Sequence, residues 1–193
     1  MIYCIALLVA LLSGCASDPV IYSPKGWPRP VVLQSSLITE EEIRQVEIAR
    51  IAIDEINRRV GAAVFQLAIT SDIEAAGCGT IRLSFVDRVT CGTDKQHLGC
   101  FWATGECFGR AELRVDADET AAVHELLHSI LGIEHDEDRN SVFYPATWRC
   151  FYRPDLPEEE QVSQCEEEDR QSITQDIVDR IRAKMKLPQV EPA

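Results

Sequence analysis

His124-Glu125-Leu126-Leu127-His128-Ser129-Ile130-Leu131-Gly132-Ile133-Glu134-His135-Asp136 is the stretch from which the rest of the chain is read. Its first part has the pattern of an α-helix. His124 and His128 are four apart, so they sit one above the other on the same helical face. Two imidazoles so placed can both reach one metal ion. Glu125 projects to the side, where it can meet a water at that ion rather than the ion itself. Gly132 is the residue best able to reverse the chain with positive φ at a helix end, and that reversal returns His135 toward the first two histidines. The chain has 4 histidines, and all but one fall in this stretch. A metal-binding helix therefore outweighs an exposed helix that carries histidines by chance.

Composition bounds the rest. A chain of 193 residues fits one domain with flanking segments and can bury a core. A formal net charge of −13 argues against nucleic acid or an anionic membrane surface as partner. Much of that charge lies in two runs, Glu158–Glu160 and Glu166–Asp169, which read as solvated loops.

The N-terminal segment reads as an export signal. Ile5 to Leu12 is an apolar run too short to span a bilayer, and small residues follow it. Leu12-Ser13-Gly14-Cys15 resembles the lipobox of bacterial lipoproteins. The resemblance implies a signal peptide over 1–14 and a lipidated Cys15 as first mature residue. Ala16 after it, rather than a retaining Asp, implies an outer-membrane lipoprotein facing the periplasm or the cell surface. Residues 15–38, with four prolines after Cys15, are expected to form an extended tether. Removing Cys4 and Cys15 leaves Cys78, Cys91, Cys100, Cys107, Cys150 and Cys165. An even number in an oxidising compartment predicts three disulfides, with the pairing open and a preference for Cys150 with Cys165 across an acidic loop. No C-x-x-C knuckle points to a cysteine metal site.

A domain is expected over 39–187, with a tail over 188–193. Thr39-Glu40-Glu41-Glu42 reads as a capping box that opens a helix ending at Gly61. Ile43, Val46, Ile53, Ile56 and Val60 mark its apolar face. Val64–Ile69, Ile81–Val86 and Ala111–Val115 read as strands, and Asp118 as the cap of the histidine helix. Ser172-x-x-Gln175 reads as a second capping box, followed by a helix with Ile173, Ile177, Ile181 and Met185 on one stripe. Strands segregated between helices predict an α+β domain.

Taken together, these residues resemble the metzincin clan of zinc endopeptidases, and within it the matrixins. The resemblance covers roughly residues 39 to 187. It rests on His124-Glu125-x-x-His128 with His135, on Gly132-Ile133-Glu134-His135-Asp136, and on Val142-Phe143-Tyr144-Pro145, which is similar to the family's Met-turn. It implies a zincin-like fold, in which a twisted mixed sheet packs against about three helices, here stabilised by disulfides. It further implies that His124, His128 and His135 hold one catalytic Zn²⁺ and that Glu125 is the general base for hydrolysis of a peptide bond by metal-activated water. A peptide or protein substrate would lie along an edge strand at Gly99, Cys100 and Phe101, with Tyr144 and Pro145 walling the pocket. Family members often bind Ca²⁺, for which Asp116 and Asp118 are candidates; both also read as caps and solvated charge. The expected protein is a monomer held to a membrane by its lipid.

Two departures stand out. The chain has three residues, Ser129, Ile130 and Leu131, between His128 and Gly132, where the family has two. One extra helical residue adds about 100° of rotation and about 1.5 Å of rise. That aims His135 elsewhere unless the turn absorbs it, with Asp136 as the nearest substitute. Phe143 stands where the family has methionine, a residue that packs beneath the metal and does not ligate. Both leave open a second function, a catalytically impaired lipoprotein on the same scaffold that acts as a protein-binding module.

Overall fold

The computed structural model describes residues 29–71, 79–92, 97–103, 109–132, 134–138, 140–144 and 172–187. Along them run β1 (Arg29–Gln34), α1 (Glu40–Val60), β2 (Phe65–Thr70), β3 (Ile81–Val86), β4 (Gly99–Ala103), β5 (Gly109–Arg114), α2 (Glu119–Leu131) and α3 (Gln175–Met185). The five strands form one sheet in the order β2-β1-β3-β5-β4. All neighbours pair parallel except β4, which lies antiparallel to β5 at the edge. With the three helices found among the described residues, this is an α+β arrangement.

Local chemistry sets the helix ends. The Thr39 hydroxyl accepts from the Glu42 amide (3.1 Å), and the Glu42 carboxylate accepts from the Thr39 amide (3.0 Å), so the capping box forms. Gly61 closes α1 in the left-handed region at φ 69°. Burial on α1 begins at Ile48 and runs through Ala49, Ala52, Ile53, Ile56 and Val60. Ile43, expected on the buried face, is instead 52% exposed. The two fully buried alanines set the contact face and shift it away from the first turn. Asp118 caps α2 by accepting from the Ala121 amide at 2.9 Å, as expected. The cap of α3 is Thr174, which accepts from the Ile177 amide, rather than Ser172. Ser172 is engaged earlier: its carbonyl accepts from the Val142 amide and its amide donates to the Asn140 carbonyl, both at 2.9 Å.

The tether expectation is corrected at its C-terminal end. Arg29–Gln34 is a strand inside the sheet, flanked by β2 and β3. Val31, Val32 and Leu33 are all buried, so both faces are covered and the sequence shows no alternation. Pro30 is tolerated because β3 pairs only with Val31–Leu33, which leaves Pro30 opposite β2 alone.

Helix α2 is packed against α1, α3, β4 and β5. Leu126 and Leu127 are fully buried, and Ile130 nearly so. Arg29 reaches from the start of β1 to donate to the Ser129 carbonyl at 2.6 Å, near the negative end of α2. A disulfide joins Cys91 to Cys100, with Cα atoms 5.5 Å apart, and so ties β4 to the segment before it. The preferred Cys150–Cys165 pair, the signal segment with Cys15, and the tail over 188–193 lie outside the described residues. No described helix is long and apolar enough to cross a membrane.

Candidate metal centre

Three imidazoles meet at one point. His124 and His128 project from the same face of α2, and the chain beyond Gly132 brings His135 to them. The Nε2 atoms of His124 and His128 are 3.2 Å apart, as are those of His124 and His135. The potential donor atoms of all three lie within 4.8 Å of one another. The extra residue before Gly132 does not prevent this. Gly132 takes φ 88° and ψ −163°, a backbone state open to glycine, and that turn re-aims the chain. Asp136, the nearest substitute by sequence, is engaged elsewhere: it accepts from Ser141 Oγ at 2.5 Å and pairs with Arg180 of α3.

The tautomers follow from the second ring nitrogens. His124 Nδ1 lies 2.8 Å from the Val142 carbonyl, and His128 Nδ1 lies 2.7 Å from the Gly132 carbonyl. A carbonyl only accepts, so Nδ1 carries the hydrogen in each ring and donates it. The Nε2 lone pairs are then left facing one another. Burial holds the His124 imidazole down to about 3 and the His128 imidazole down to about 4, and the neighbouring imidazoles press in the same direction. His135 is lowered as well, again by burial. Neutral imidazoles with converging lone pairs form a donor set for a cation. Two of the three separations, at 3.2 Å, lie close to the about 3.3–3.4 Å between tetrahedral ligands at the usual Zn–N length of ~2.0–2.1 Å.

Phe143 is the floor. Its ring is fully buried, with centroids 5.4, 4.8 and 5.6 Å from those of His124, His128 and His135. On β4, Phe101 stacks on His128 at 6.4 Å.

Glu125 is only 6% exposed and lies against β4. A Cβ at Gly99 would come within 2.5 Å of Glu125 Cγ and 2.7 Å of Oε1, so only glycine allows the edge strand this close to that carboxyl. Burial pushes the Glu125 carboxyl up to about 8.

Other residues singled out by sequence fall as follows. Gly99 and Phe101 face α2, whereas the Cys100 side chain, on the alternate face, is held in the disulfide. The Tyr144 amide donates to the Ser141 carbonyl at 3.0 Å in the turn after Phe143; Pro145 lies outside the described residues. Asp116 pairs with Arg114 and Asp118 caps α2, so both candidate calcium carboxylates already have protein partners. His97 bridges Val89 and is not part of the cluster. Arg180 and Ser141 were missed by sequence reasoning. The Asp136–Arg180 pair spans 44 residues and leaves no local signal.

No protein-family model matches the sequence, and no curated protein matches it either. Among solved structures, archaemetzincin from Methanopyrus kandleri matches with a TM-score of 0.52 and 14% identity, over 86% of this chain and 99% of that one. The GM1-bound form of the ECX AB5 holotoxin gives a TM-score of 0.45 and 11% identity, over 81% of this chain and 80% of that one. The chain thus has an α+β fold similar to that of archaemetzincin, with a three-histidine cluster at the end of α2 suited to a metal ion.

Proposed function

We propose that this chain is a zinc-dependent endopeptidase of metzincin type. The observation that carries the reading is the convergence of three imidazole Nε2 atoms beside a buried glutamate and the edge strand of the sheet among the described residues. His124, His128 and His135 would hold the ion. Zinc so held would supply Lewis-acid chemistry, lowering the pKa of a water and polarising a scissile carbonyl. Glu125 takes the water's proton and returns it to the leaving amine. In the metal-free chain burial raises its carboxyl above the ordinary range, and a bound cation would draw it back toward the carboxylate that accepts a proton. Gly99, Cys100 and Phe101 offer the outer edge of β4 to an extended peptide, which adds to the sheet as one more strand. Tyr144 and Pro145 would wall the pocket beyond the scissile bond. The turn at Gly132 accommodates the extra residue, which supports the catalytic reading over a non-catalytic binding module, while Phe143 still departs from the family's methionine. We further propose that a lipid on Cys15 holds the enzyme at the outer membrane.

The test compares the chain with Glu125→Gln on a diverse peptide mixture, reading new termini by mass spectrometry and bound metal by elemental analysis. The parent should cleave, the variant should not, and both should bind one zinc. Cleavage retained by the variant would remove Glu125 from its role, and a parent without zinc would remove the reading.

A further inference from the structure

His124 and His128 are each fixed twice, by the backbone of α2 and by a carbonyl at Nδ1. His135 stands on an irregular segment, and among the described residues no carbonyl bond holds its ring. What is held is its neighbour. The Asp136 amide donates to the Phe143 carbonyl at 3.0 Å. One Asp136 carboxylate oxygen accepts from Ser141 Oγ at 2.5 Å, and the other accepts from Arg180. Ser141 Oγ in turn accepts from the Phe143 amide at 3.0 Å. The Asp136 side chain is only 13% exposed. Arg180 lies on the third helix, with its guanidinium 5.8 Å from the Phe143 ring centroid. It therefore touches both the segment that carries His135 and the floor beneath the imidazoles. Asp176, one turn earlier on α3, is largely exposed and lies 3.5 Å from the same guanidinium.

We propose that Arg180 is a positioning residue for the metal centre, holding Asp136 so that His135 reaches the other two imidazoles. The proposal rests on the zinc reading above and deepens it. It explains how the longer connection from His128 can still deliver a third nitrogen: Gly132 supplies the turn, and the Arg180–Asp136–Ser141 clasp determines where the turned chain comes to rest. Without Arg180, Asp136 would be a largely buried carboxylate lacking its cation, and the segment would shift to rehydrate it. Residues that orient a metal ligand from outside the coordination shell typically contribute about tenfold to a hundredfold in affinity.

The experiment measures zinc affinity of the full chain in detergent by competition with a chromophoric chelator. It also records the visible spectrum of the cobalt-loaded protein. Arg180→Gln should weaken zinc by about tenfold to a hundredfold and alter the cobalt spectrum, and Arg180→Lys should recover part of the loss. In a His135→Ala background, Arg180→Gln should change affinity by less than about twofold, since the ligand it serves is gone. Asp136→Asn should repeat the Arg180→Gln effect, and it supplies the answer should that variant fail to fold. An equal loss in both backgrounds would make the effect merely structural and overturn the proposal. Unchanged affinity and spectrum in both Arg180→Gln and Asp136→Asn would also overturn it. A parent that binds no zinc would be a distinct result, overturning the metal reading and this proposal with it.

Discussion

Gly99→Ala tests the closest approach in the candidate site. The added methyl would sit 2.5 Å from Glu125 Cγ, 2.7 Å from Oε1 and 2.9 Å from Cδ. None of these distances is tolerable for a carbon atom, and Cγ is not the free end of a flexible chain. Glu125 is 6% exposed and rises from a helix packed on several sides, so it cannot simply swing into solvent. Either β4 retreats or the carboxyl turns away. Overpacking of this kind costs about 1–3 kcal/mol, to be read as a lower urea midpoint. The catalytic effect should be larger. A displaced general base forfeits part of a contribution of ~10²–10⁴ in rate, so kcat should fall at least tenfold while zinc stoichiometry stays at the parent's value. The paired assay is peptide cleavage with kcat and KM separated, beside urea unfolding and metal analysis. Parent-like stability together with parent-like kcat would refute the close packing of β4 on Glu125. Lost stability with unchanged kcat would refute the role given to that carboxyl.

Three further outcomes are expected. Phe143, fully buried beneath the three imidazoles, should tolerate methionine at under about 1.5 kcal/mol. Its replacement by alanine should cost about 3–5 kcal/mol and loosen zinc, as read by urea unfolding with and without metal. The metal-free chain should show a pH optimum of stability near the ordinary histidine value. His124 and His128 are depressed to about 3 and about 4 from 6.5, so their contribution is present above 6.5 and is lost as pH falls toward those values. Glu125 is raised to about 8 from 4.5, so its contribution is present below 4.5 and is lost as pH rises toward 8. Between 4.5 and 6.5 the two imidazoles outweigh the one carboxyl, and above 6.5 the carboxyl acts alone; unfolding in chelator with no decline from pH 6.5 to 8 would contradict this. Finally, mass spectrometry of protein from a bacterial membrane should find acyl chains on Cys15, and an unmodified mature N-terminus would remove the anchor.

What could be read from the sequence was whatever is decided within a few residues. The 3.6-residue turn puts His124 and His128 on one face, Thr39 with Glu42 and Asp118 with Ala121 satisfy the orphan amides of their own helices, and Gly61 and Gly132 end helices because only a residue without a side chain adopts their turns at little cost. The alternation of Ile81–Val86 likewise marked β3 residue for residue. What tertiary structure alone decided was everything that depends on a partner far along the chain. Arg29–Gln34 is a strand because β2 and β3 flank it and bury both its faces, which erases the alternation that would have announced it. Cys91 found Cys100, and Ile43 stayed in water, according to how neighbouring elements happen to approach. Whether His135 or Asp136 would turn toward the cluster was undecided by spacing, since an extra residue rotates the helix end in a way that only the following segment can correct. That correction comes from Ser141 and from Arg180, which lies 44 residues beyond Asp136, and a contact across so long a stretch of chain exists only once the fold has closed.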